Sequence, residues 1–149
     1  MSEPTMKFLK HHILLWIVFC FVFTLAVLGL ELLEGNKITT TEYYGLSNLG
    51  FVIIFIEFIG ILIVYPITFF PLTLLLHWLV RSNILKTVIY TVAGGASGLW
   101  IFQLLYGDFD NYFVTGYGLD VSTSIILFCV AALLYSGADL LLRKTTKDK

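Results

Sequence analysis

Charge is what this sequence has least of. Asp, Glu, Lys and Arg make up 13% of its 149 residues, and hydrophobic residues make up 58%. Soluble domains carry about 25% charged residues, so a surface this poor in charge faces lipid over much of its area. A water-borne globular domain is excluded. Cysteine is scarce too. Cys20 and Cys129 both lie in apolar runs, where buried reduced thiols are expected and a loop-stapling disulfide framework is not. Sequence motifs for chemistry are also lacking. There is no glycine-rich phosphate loop, no nucleophile elbow and no HExxH. The expectation is a non-enzyme with no cofactor and no metal. The basic residues do not form a nucleic-acid patch. The tail Arg143-Lys144-Thr145-Thr146-Lys147 is read instead as a topology determinant and a contact for anionic lipid.

What is present is four long apolar stretches, predicting helices over about 13–30, 49–80, 87–106 and 121–142 within a single domain, 1–149. The first run is too long for a signal-peptide core and no small-residue cleavage site follows it, so it is read as a transmembrane helix. The second is too long for one plain span. Its 32 residues make a straight helix of about 48 Å, against a hydrocarbon core of about 30 Å. Pro66 and Pro71 free the carbonyls of Leu62 and Ile67, which predicts a bend between Tyr65 and Leu72 with Thr68 and Thr73 near enough to help. The expected fold is an all-α membrane four-helix bundle whose second helix is long and proline-kinked.

Basic residues are unevenly placed. Lys7, Lys10, Arg81, Lys86, Arg143, Lys144, Lys147 and Lys149 fall in the ends and the 81–86 connection, and only Lys37 falls in the other two loops. Lys and Arg keep loops in the cytoplasm, so both termini are expected inside a cell membrane. The opposite side is acidic, with Glu31, Glu34, Glu42, Asp108, Asp110 and Asp120 assigned to its loops.

Few residues have candidate roles. Glu57 is an acid inside the second apolar stretch. It is a solvated residue at the outer headgroups, an interhelical hydrogen-bonding group with Gln103 as partner, or a proton or cation site. Counting about 20 residues back from Val80 reaches Ile61, which favours the first reading. Asp139 and Arg143 are four apart and form an inner-interface ion pair on one helix face. Gly94 and Gly98 have the spacing of a close helix–helix approach, within the bundle or across a homodimer, with Gly137-Ala138 as a candidate opposing surface. His11, His12 and His77 share the inner side but show no ligand spacing with an acid or a cysteine. Tyr44-Gly45-Leu46 and Tyr117-Gly118-Leu119 precede the second and fourth helices and hint at a duplicated hairpin.

The stretch Tyr65-Pro66-Ile67-Thr68-Phe69-Phe70-Pro71 and the cluster Ala93-Gly94-Gly95-Ala96-Ser97-Gly98 give the chain a layout that resembles uncharacterised small four-span membrane proteins of Gram-positive bacteria. The resemblance implies a fold and no activity. The small multidrug exporters are unlike it, because they carry an essential acid in their first helix. The sequence therefore favours a non-enzymatic partner-binding or regulatory membrane subunit. The alternative is a small oligomeric transporter or channel using Glu57. The expected partners are the lipid bilayer and either a second copy or another membrane protein.

Overall fold

The computed structural model describes residues 3–107 and 112–147, so Asp108 and Asp110 of the second acidic loop lie outside the described residues. Helix α1 runs Glu3–Leu33, followed by a 3-10 turn, Gly35–Lys37. A short helix α2 (Leu46–Leu49) leads into α3 (Phe51–Ile67) and α4 (Phe69–Leu79). Then come α5 (Asn83–Tyr106), a short α6 (Tyr112–Tyr117) and α7 (Val121–Lys147). No strand occurs among the described residues. Four segments are long and apolar enough to cross a membrane: Phe8–Lys37, Phe51–Leu79, Asn83–Tyr106 and Val121–Lys144.

Helices α5 and α7 form the tightest pair, with α1 packed on α7 and α3 on α1. Small residues make the α5–α7 seam possible. A Cβ placed on Gly98 would lie 2.8 Å from the backbone oxygen of Ser124, and one on Gly94 would collide with Ala132. In return Ser124 donates to the Gly98 carbonyl at 2.7 Å. Thr87 and Ser136 are joined at 2.8 Å further along the same antiparallel seam. Gly94 and Gly98 are thus consumed inside the bundle, which removes them as a homodimer surface. Their opposing residues are Ser124, Phe128 and Ala132, not Gly137, which has nothing near its Cβ position.

The long second stretch is broken twice. Gly50, at φ +56°, ends α2 and starts α3. Thr68, at φ −114° and ψ −71°, separates α3 from α4. Pro66 frees the Leu62 carbonyl, and the indole N–H of Trp16 on α1 donates to it at 3.3 Å. The threonines act otherwise than expected. The Thr68 hydroxyl donates to Val64 at 2.8 Å. Thr73 is buried among phenols instead: Tyr90 donates to its hydroxyl at 3.1 Å, and Tyr135 lies 2.9 Å from it. Phe69 packs between Phe19, Phe23 and Tyr135, with ring centroids 4.8 to 5.5 Å apart. These contacts hold α4 to the bundle at its start. The two Tyr-Gly-Leu sequences do not share a backbone, since Gly45 is extended at φ −104° and Gly118 is left-handed at φ +61°.

Candidate functional site

Polar groups gather at three levels of the bundle. At one end Glu31 is 1% exposed. It belongs to α1 and not to a loop, which corrects its assignment as an outer-surface acid. The reason is that its carboxylate is fully served from inside. Tyr43 and Tyr106 donate to Oε1, the latter at 3.1 Å, and the Leu46 N–H donates to Oε2 at 3.0 Å. Burial, and then the bond to Glu31, hold the Tyr43 phenol well above its ordinary range, so it remains a donor. Glu34, also buried, accepts from Lys37 at 2.7 Å, the Asp120 N–H at 3.0 Å and the Thr123 hydroxyl at 2.7 Å. Two acids thereby tie the 31–46 segment and the start of α7 together. Buried carboxylates are tolerated only when served in this way.

Glu57, midway along α3, is not served. Both of its carboxylate oxygens are buried and neither has a hydrogen-bond partner. This overturns the reading of a simply solvated acid at the headgroups. It also removes Gln103 as its partner, since Gln103 is an exposed residue of α5 that makes no bond to it. The count from Val80 assumed one uniform span, whereas what Glu57 meets is set by the gap between α3 and α5. Glu57 lines a cavity of about 230 Å³ whose walls include Phe19, Phe23, Phe69, Trp100 and Phe128. Thr68 and Ser97 also border it, but each donates its hydroxyl proton to a backbone carbonyl one turn earlier, Thr68 to Val64 and Ser97 to Ala93. The cavity lies between α3 and α5. Its rim residues Gly60, Trp100 and Leu104 are exposed, so it is a cleft that opens sideways. The cleft exists because α3 packs on α1 while α5 packs on α7, leaving α3 and α5 without extended contact. Phe51–Leu79 is the least buried of the four long apolar segments, and Phe8–Lys37 the most.

At the other end the sequence-predicted pair is present. Arg143 Nε donates to Asp139 Oδ1 at 3.1 Å, and Nη2 donates to Oδ2. Asp139 is 1% exposed and meets more than Arg143. His11 Nε2 lies 3.1 Å from Oδ1 and His77 Nε2 lies 3.1 Å from Oδ2. The expectation that the histidines have no acid for company is therefore corrected. The acid stands 128 and 62 positions away in sequence, where no spacing rule can see it. The sequence signal that remained was the shared sidedness of His11, His77 and Asp139.

No protein-family model, curated protein or solved structure matches the chain.

Proposed function

We propose that the chain is a small multi-pass protein of a bacterial cell membrane, with both termini in the cytoplasm, that binds hydrophobic cations in its lateral cleft with Glu57 as counter-ion. One observation carries this: a carboxyl group with both oxygens buried and unpartnered stands in the wall of an aromatic cavity open to the side. A polar group in that setting costs several kcal/mol unless something donates to it. The buried acids Glu31 and Glu34 each have three donors, so the bare state of Glu57 is not the habit of the fold. An amine or other cation with an apolar body satisfies both the acid and the walls. Aromatic faces add cation–π attraction, with Trp100 the strongest of them. A side opening lets such a molecule enter from the bilayer. Carriage across the membrane, by an oligomer of this small bundle, is the corresponding transport role. The cytoplasmic placement of the termini rests on the clustering of Lys and Arg.

A second reading has its own support. The shallow burial of Phe51–Leu79 leaves a face that a transmembrane helix from another protein can cover, and a Lys or Arg on that helix would answer Glu57. The chain is then a non-enzymatic partner-binding or regulatory subunit.

Binding of tetraphenylphosphonium to the protein in nanodiscs tests the first reading. Trp100 fluorescence should change saturably on addition of the cation. Glu57→Gln should weaken the binding at least tenfold, and Trp100→Phe should remove most of the signal. Equal affinity of wild type and Glu57→Gln would overturn the reading. Absence of binding in the wild type would also overturn it and turn attention to a partner helix.

A further inference from the structure

We infer that His11, His77 and Asp139 form a binding site for one divalent transition-metal ion, with Zn²⁺ as its representative. The three residues come from α1, α4 and α7, and one donor atom from each lies within 4.8 Å of the others. Zinc bonds to nitrogen and oxygen are about 2.0–2.2 Å, which sets tetrahedral neighbours about 3.3–3.5 Å apart. Each imidazole Nε2 is already 3.1 Å from an Asp139 oxygen. Small side-chain rotations bring the set onto an ion. Two imidazoles and a carboxylate suit zinc or ferrous iron, whereas magnesium and calcium select oxygen ligands.

The present hydrogen bonds explain how the site is held together without an ion. Each Nε2–H donates to an oxygen of the Asp139 carboxylate, His11 to Oδ1 and His77 to Oδ2. On binding, each ring carries its proton on Nδ1 and turns the Nε2 lone pair to the metal. A carboxylate has about four lone-pair positions, so Arg143 and the ion can share Asp139. The guanidinium charge opposes the ion and lowers its affinity below that of a site with a free carboxylate.

A third histidine flanks the cluster. His12 is 5% exposed, and its Nδ1 is buried with no hydrogen-bond partner. Its ring centroid lies 5.2 Å from that of His11 and 6.2 Å from that of His77. His12 is not one of the three converging ligands, and its ring packs against Phe8 and Phe70 beside them. The site would clamp the far end of α4, which is also tied to α7 through Phe69 and Thr73.

Metal uptake by the protein tests this, purified through a tag without histidine and held in nanodiscs. Wild type titrated with Zn²⁺ against a competing chelating dye should take up one ion per chain. His77→Ala and Asp139→Asn should each lose at least tenfold in affinity. His11→Gln and His77→Gln serve if the first two fail to fold. As an independent readout, Zn²⁺ should raise the unfolding temperature of wild type and leave that of His77→Gln unmoved. No stoichiometric uptake by wild type would overturn the inference, and so would equal uptake by folded His11 and His77 variants.

Discussion

His77 at the end of α4 and Asp139 on α7 meet at 3.1 Å across 62 positions of sequence. The contact joins the least buried span of the protein to its best-packed helix pair. It also shares its carboxylate with Arg143, so Asp139 holds three helices at one end of the bundle. Replacing Asp139 by Ala leaves two imidazoles and a guanidinium facing one another without their acid. Removing one partner of a buried pair costs about 3–5 kcal/mol, and the lower end applies here because a quarter of the Arg143 side chain remains exposed. Unfolding of the variant in mixed detergent micelles should show a loss of about 3 kcal/mol. Arg143→Ala should cost less, because His11 and His77 still donate to the carboxylate.

The α5–α7 seam predicts a contrast between glycines. Gly98→Ala drives a methyl group into the Ser124 backbone, which cannot retreat as a side-chain tip can. Overpacking of this kind costs about 1–3 kcal/mol. Gly60→Ala and Gly137→Ala have open space at the same atom and should be within about 0.5 kcal/mol of wild type. Thermal unfolding of the three variants side by side checks this. Equal stability of Gly98→Ala and Gly60→Ala would mean that the seam is looser than described.

The two phenols on Glu31 are expected to act together. Tyr43 and Tyr106 both donate to Oε1 and their rings lie 5.7 Å apart. Hydrogen bonds to a charged group contribute about 1.5–3 kcal/mol each. Tyr43→Phe and Tyr106→Phe should each destabilise by that order. The double variant should depart from the sum, since either phenol alone still serves the same oxygen. A double-mutant cycle on chemical unfolding measures the coupling, and strict additivity would count against a shared acceptor.

Some of this was legible in the residues alone. The four spans were legible because hydropathy over about 20 residues needs no knowledge of packing. Asp139 with Arg143, and Gly94 with Gly98, were legible because helical spacing places them before any tertiary contact forms. Glu31 was not, because its burial depends on Tyr43, Tyr106 and the Leu46 N–H arriving from other segments. Glu57 was misjudged for a related reason. A length count assumes one uniform span, while Gly50 and Thr68 break the stretch and the α3–α5 gap decides what its side chain meets. The histidines converge on Asp139 through the tertiary fold only.

Topology yields to labelling. In a background with Cys20 and Cys129 replaced by Ala, a single cysteine placed at Glu42, an exposed position, should react with a membrane-impermeant maleimide on intact cells. One at Lys144, also exposed, should react only after permeabilisation. The reverse pattern would invert the orientation argued from Lys and Arg.

The Trp16–Leu62 contact makes the sharpest prediction about how the proline is accommodated. The Leu62 carbonyl is free only because Pro66 has no N–H to give it. Trp16 fills that need from the neighbouring helix at 3.3 Å. Trp16→Phe keeps most of the aromatic surface that stacks near Tyr65 and removes the donor, at a cost of about 1 kcal/mol. In a Pro66→Ala background the residue 66 N–H can reach Leu62 itself, and the same Trp16→Phe change should then cost little. The coupling between the two sites is therefore expected to be close to one hydrogen bond. A Trp16→Phe effect of equal size in both backgrounds would show that the indole contributes by packing and that the carbonyl is satisfied in another way.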